Sequence, residues 1–107
     1  MMQSENKSVP DPALRMAASA DYALISSMAA DIWKIHYTPI LGESQVAYML
    51  KNMYSSESLS NQTREGQTFY IIEENKTPAG FISISHKNTG EYFLHKFYLD
   101  VYMYIDL

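Results

Sequence analysis

The chain has 107 residues, room for one domain with one core, and at this size roughly two thirds of the unfolded chain's surface is buried on folding. Its 47% hydrophobic and 19% charged residues match a folded globular protein, and a net charge of -4 argues against sequence-independent nucleic-acid binding, which needs lysine and arginine in excess. With no cysteine, disulfides, thiolate zinc sites and cysteine nucleophiles are all excluded.

Residues 1–12 carry Ser4, Glu5, Asn6, Lys7, Ser8, Pro10 and Pro12 without periodicity, and are expected as a disordered tail ahead of a domain over residues 13–107. They lack the apolar run of a signal peptide, and nowhere does an uninterrupted apolar stretch reach the length of a membrane span. A cytoplasmic protein with no membrane partner is expected.

Residues 13–18 read as a short strand, although their Ala and Met content also suits a helix. Ser19 is then placed to cap a helix, with Asp21 in its first turn. Leu24, Ile25, Met28, Ile32 and Ile35 put one apolar face on that helix, which ends near His36. Thr38 precedes Pro39, so a loop is expected over residues 37–42. A second helix over residues 43–53 carries Val46, Met49, Leu50 and Met53 as its stripe. A third, mostly polar helix is capped by Ser55 or Ser56 and closed by Gly66, and has little to bury beyond Leu59.

After Gly66 the period drops to two. Phe69 and Ile71 alternate with Thr68, Tyr70 and Ile72; across a turn at Asn75 and Lys76, Phe81 and Ser83 alternate with Gly80, Ile82 and Ile84. A second reversal at Asn88, Thr89 and Gly90 leads into a run from Tyr92 to Asp106. There Phe93, His95, Phe97 and Leu99 alternate with Tyr92, Leu94, Lys96 and Tyr98. Such a run is more than twice the usual strand length of about five or six residues, so it is expected to bend or project. Helix is the alternative for it, because Phe93, Phe97 and Val101 are also four apart.

His36, His86 and His95 are the only histidines, and no pair has the spacing of a helical metal site, so no metal is expected. Neither a Gly-x-Ser-x-Gly elbow nor a Walker loop occurs, which leaves hydrolase and nucleotidase readings without support.

The elements taken in order give an α+β fold: a short first strand, two to three helices, then an antiparallel three-strand meander. This order resembles the amino-terminal portion of the GNAT superfamily of acyl-CoA-dependent N-acetyltransferases. The stretches that carry the likeness are Leu14-Arg15-Met16-Ala17-Ala18-Ser19-Ala20-Asp21, Ile32-Trp33-Lys34-Ile35-His36-Tyr37-Thr38-Pro39-Ile40, Pro78-Ala79-Gly80-Phe81-Ile82-Ser83-Ile84 and the strand from Leu94 to Leu99. The resemblance implies acetyl transfer from acetyl-CoA to a primary amine, with backbone groups of Phe97, Tyr98 and Leu99 holding the cofactor. It also implies that Trp33 and Tyr37 lie beside the acceptor amine, and that Glu91 or His95 takes its proton.

After the matching strand the family has a basic, glycine-rich loop whose N–H groups hold the coenzyme's diphosphate. Here Asp100-Val101-Tyr102-Met103-Tyr104-Ile105-Asp106-Leu107 follows instead. The domain is therefore expected to be truncated before that loop, weak toward acetyl-CoA and inactive as this chain. A terminal strand left open on one side is also expected to pair, as a homodimer joined from Tyr92 to Ile105. The competing readings are a non-catalytic self-associating or ligand-binding module, and a fold completed by a separate polypeptide.

Overall fold

In the computed structural model the described residues are 12–87 and 90–99. Residues 1–11 of the tail expected over 1–12 and the continuation of the final run beyond Leu99 lie outside them, as do Asn88 and Thr89 of the second reversal, while Pro12 belongs to the first strand.

Strand β1 (Pro12–Met16) is followed by a single 3-10 turn over Ser19–Asp21. Ser19 does not cap here. The Ala18 N–H donates to the Asp21 carboxylate at 2.8 Å, so the negative charge placed in the first turn does the capping itself. Helix α1 (Tyr22–His36) buries Ile25, Ala29, Ile32 and Trp33. Its buried stripe is thus turned slightly from the expected one. Ile35 is 55% exposed, while Ala29 and Trp33 join the core.

The expected loop after α1 is instead a short helix, α2 (Thr38–Leu41). Pro39 falls in its first turn, where a missing N–H costs nothing. Helix α3 (Glu43–Tyr54) buries Val46 and, at its end, Tyr54. Ser55 then caps α4 (Ser56–Arg64), accepting from the Ser58 N–H at 3.1 Å. Gly66 ends that connection at φ 111°, the left-handed geometry expected of it. On α4 only Leu59 is fully buried.

Strands β2 (Gln67–Glu74) and β3 (Thr77–His86) form a hairpin whose turn residues, Asn75 and Lys76, both have positive φ (53° and 68°). That handedness matches the twist of the strands, and a lysine takes the place usually given to glycine. Strand β4 (Tyr92–Tyr98) completes a four-stranded antiparallel sheet of order β1-β2-β3-β4.

The register of β4 overturns the strict alternation expected of it. Ser83 pairs with Lys96 but Ile84 pairs with Leu94, so His95 is an extra residue in a β-bulge. Beyond the bulge the faces exchange: Lys96 and Tyr98 join Phe93 on the side of Phe81 and Ser83, while Phe97 joins Leu94 and Tyr92 on the other. A bulge leaves no trace in a hydrophobic pattern that reads acceptably on either side of it.

Helices α1, α3 and α4 gather on the inner face of the sheet, where Ile25, Ala29, Tyr54 and Leu59 pack with Phe69, Ile71, Phe81 and Tyr98 in one core. The outer face is equally apolar. Register places Leu14 and Met16 beside Ile72 and Tyr70, then Ile82 and Ile84, then Phe97 and Leu94.

Candidate functional site

Strand β4 is the edge of the described sheet, bonded to β3 on one side only. No described strand lies on its other side. What fixes this edge in place is aromatic packing. Tyr98 is buried, with its ring 5.0 Å from Phe81 and 6.3 Å from Tyr54, and Tyr54 lies 5.9 Å from Phe81. These contacts among α3, β3 and β4 hold the Tyr98 main chain against a rigid core.

Gly80 brings the end of β4 still closer. A Cβ on Gly80 would lie 2.0 Å from the Tyr98 carbonyl oxygen and 2.9 Å from the Leu99 Cα. No other residue fits. A glycine inside a strand is a sequence signal for close backbone approach, and here the approaching backbone is that of two expected cofactor contacts.

Of the other residues expected at the site, His95 stands exposed at the bulge with its Nε2 2.7 Å from the Ser85 Oγ. Its ring centroid is 6.0 Å from that of Phe93. Glu91 is also exposed, and its carbonyl accepts from the Lys87 N–H at 2.7 Å, which closes the reversal into β4. Phe97 and Leu99 are half-buried. Trp33 and Tyr37 sit together at the end of α1 with ring centroids 4.4 Å apart. Trp33 is a core residue, 6% exposed, yet its indole N–H has no hydrogen-bond partner among the described residues. A buried donor left unmatched is costly in a protein interior.

Alternation alone did not reveal Lys96. The bulge turns it inward, where its ammonium donates to the Gln62 Oε1 at 2.8 Å and lies over the rings of Tyr54 and Phe69 at 5.9 and 5.7 Å. The Gln67 amide oxygen is 3.5 Å away and also accepts from the buried Ser83 hydroxyl. Burial without a carboxylate bonded to it pulls the Lys96 pKa below the ordinary 10.5. This polar row runs from α4 across β2 and β3 to β4.

On the helical side, a cleft of about 710 Å³ lies between α1 and α3, lined by Ala30, Lys34, Thr38, Glu43, Val46, Ala47 and Leu50. At the start of the domain Arg15 donates to Asp21 at 3.0 Å and to Glu73 at 3.1 Å, tying β1 to β2 and to the turn before α1. No group of three or more metal-ligating side chains occurs among the described residues.

No protein-family model matches the chain, and no curated protein matches it. A solved structure does: the PaiA N-acetyltransferase of Thermoplasma acidophilum in complex with coenzyme A, with a TM-score of 0.69 at 23% sequence identity. The chain has a GNAT-like fold. The match covers 84% of this chain and 59% of that one, so the chain spans under two thirds of the neighbour's length. Likeness at this identity establishes the architecture, an α+β fold with helices followed by an antiparallel sheet. Among the described residues no helix is long and apolar enough to cross a membrane.

Proposed function

We propose that this chain is part of a cytoplasmic, GNAT-like N-acetyltransferase that takes acetyl from acetyl-CoA and gives it to a primary amine. The observation that carries the reading is the end of strand β4 at Phe97, Tyr98 and Leu99, pinned by buried aromatics within a fold shared with a coenzyme A-bound acetyltransferase. Coenzyme A, when bound, supplies the acetyl group as an activated thioester. Main-chain N–H donors at the end of β4 would orient that group and stabilise the negative charge that grows on its carbonyl oxygen as the amine attacks. Glu91 and His95 are the candidate bases, both exposed and able to take a proton from an incoming ammonium. Trp33 and Tyr37 are the candidate acceptor contacts, and the unmatched Trp33 indole N–H supports that role.

A polypeptide of these 107 residues is proposed to hold acetyl-CoA weakly and to turn over little. Residues 100–107 include neither glycine nor a basic side chain to meet the diphosphate. Isothermal titration with acetyl-CoA tests this, and micromolar affinity contradicts it. A thiol-release assay across polyamines, amino acids and peptides tests turnover, and robust release without added protein contradicts the inactive reading.

The second reading is a non-catalytic module that pairs with a second copy through the strand from Tyr92 to Ile105. It is favoured by Tyr92, Phe93 and Leu94, which are 66%, 50% and 44% exposed on the last described strand. A dimer that neither binds coenzyme A nor acetylates any amine supports this reading over the first.

A further inference from the structure

The cleft between α1 and α3, about 710 Å³, falls within the range of about 300–1,000 Å³ usual for small-molecule sites. Packed helices ordinarily fill the groove between them with interlocking side chains. Here Ala30 on α1 and Ala47 on α3 bring only methyl groups to it, and the groove stays open.

The lining is sorted by polarity along its length. Lys34 near the end of α1, Thr38 in α2 and Glu43 at the start of α3 lie where the two long helices are joined. Leu50 lies two turns further along α3, about 10 Å from Glu43 at 1.5 Å per residue, with Val46 and Ala47 between them. One end is charged, and the rest is apolar.

The two charges are opposite in sign and are not spent on each other. Neither Lys34 nor Glu43 is joined to a described residue by an ion pair, those found belonging to Arg15. Both side chains are exposed and able to meet a ligand.

We propose that this cleft binds a free α-amino acid with a large apolar side chain. The ligand's carboxylate meets the Lys34 ammonium, its ammonium meets the Glu43 carboxylate, and its side chain lies along Val46, Leu50 and the two alanines. A ligand with a single charge answers one of these residues and is repelled by the other, whereas a zwitterion answers both. In a peptide the terminal charges stand at opposite ends. In an amino acid they share one carbon, as the protein's two charges share one end of the cleft. Apolar burial scales with area, so a bulky side chain gains most from the remaining wall. None of the lining residues belongs to β4 or is among those proposed for acetyl transfer, so the site stands apart from that reading and its test needs no coenzyme.

Titration of the isotopically labelled 107-residue polypeptide with L-phenylalanine, followed by amide chemical shifts, tests the proposal. Three analogues run beside it: 3-phenylpropanoate lacks the ammonium, 2-phenylethylamine lacks the carboxylate, and glycine lacks the side chain. Saturable shifts are expected for phenylalanine at the facing residues of α1 and α3, and none for glycine in the same range. Phenylalanine is expected to bind about tenfold or more tighter than either singly charged analogue, the usual scale for one lost hydrogen bond to a charged group. Glu43→Gln is expected to erase the preference over 3-phenylpropanoate, and Lys34→Met the preference over 2-phenylethylamine. Ala47→Leu fills the groove from an exposed position and is expected to abolish binding with unchanged circular dichroism.

Phenylalanine that moves no amide of the cleft at millimolar concentration overturns the proposal, as does an analogue that binds equally well. If no amino acid binds and Ala47→Leu instead alters the sedimentation of the chain, the groove holds protein, which also overturns it. Should Ala47→Leu fail to fold, the two charge variants decide, and preferences left unchanged in both overturn the assignment.

Discussion

The carbonyl oxygen of Tyr98 occupies the space where a side chain on Gly80 would begin, 2.0 Å from the ideal Cβ position. Strand β3 and the end of β4 thus approach as closely as backbones allow, beside the main-chain groups proposed to meet the acetyl thioester. Gly80→Ala is expected to push the Tyr98–Leu99 segment outward and to cost about 1–3 kcal/mol, the usual range for overpacking a tight site. Thermal unfolding measures the loss, and an unchanged Tm shows that β4 yields without cost.

Leu59 is the single anchor of α4, fully buried on a helix whose other residues are exposed or half-buried. Leu59→Ala is expected to destabilise the domain by about 2–5 kcal/mol through the cavity it leaves. Denaturant titration should show the midpoint falling at constant m-value. A loss below 1 kcal/mol, on the order of an ordinary surface change, contradicts the anchor role.

The Lys96 pKa is lowered by burial, which carries a definite pH dependence. The unfolded chain binds the proton more tightly than the folded one, so stability rises with pH through the interval between the folded value and 10.5. Lys96→Met removes the buried charge at similar length, and is expected to raise Tm at neutral pH and to flatten the alkaline rise. Melting curves from pH 7 to pH 10 check both, and a variant that melts lower at pH 7 shows the Gln62 hydrogen bond outweighing desolvation.

Asp21 behaves in the opposite sense. Its hydrogen bond from Arg15 is the larger cause, and the Ala18 N–H the second, of a carboxyl pKa held below 3.8. The stabilisation is fully present above 3.8 and is lost as the pH falls through the folded value. Because the group is only half-buried and within reach of solvent screening, Asp21→Asn is expected to lower Tm by only a few degrees at pH 7 and to converge with the unaltered chain in acid. A difference that does not narrow below pH 3.8 contradicts the assignment.

Much of this fold is legible in the sequence because burial imposes a period. Val46 and Leu59 mark helices, and Phe69, Ile71 and Phe81 mark strands, since each apolar side chain must return to the same face. Two features escaped that logic. Helix α2 is too short to show a period, and Pro39 reads as a breaker although it sits in a first turn. The bulge at His95 is a matter of hydrogen-bond register, and in a run apolar on both faces a slip by one residue changes no pattern of hydrophobicity. Its consequences are nonetheless large: Lys96 and Tyr98 point inward, and Tyr98 becomes the buried anchor beneath the proposed site. Trp33 was legible as an aromatic near an acceptor loop, but its unmatched indole N–H depends on neighbours that sequence spacing does not specify.

The most direct test of the account is a titration of the isotopically labelled 107-residue polypeptide with acetyl-CoA, followed by amide chemical shifts. The account predicts perturbations centred on Phe97, Tyr98 and Leu99, with an affinity nearer millimolar than micromolar. Amides of β4 that stay unmoved at saturating coenzyme, while others shift or none do, would contradict it.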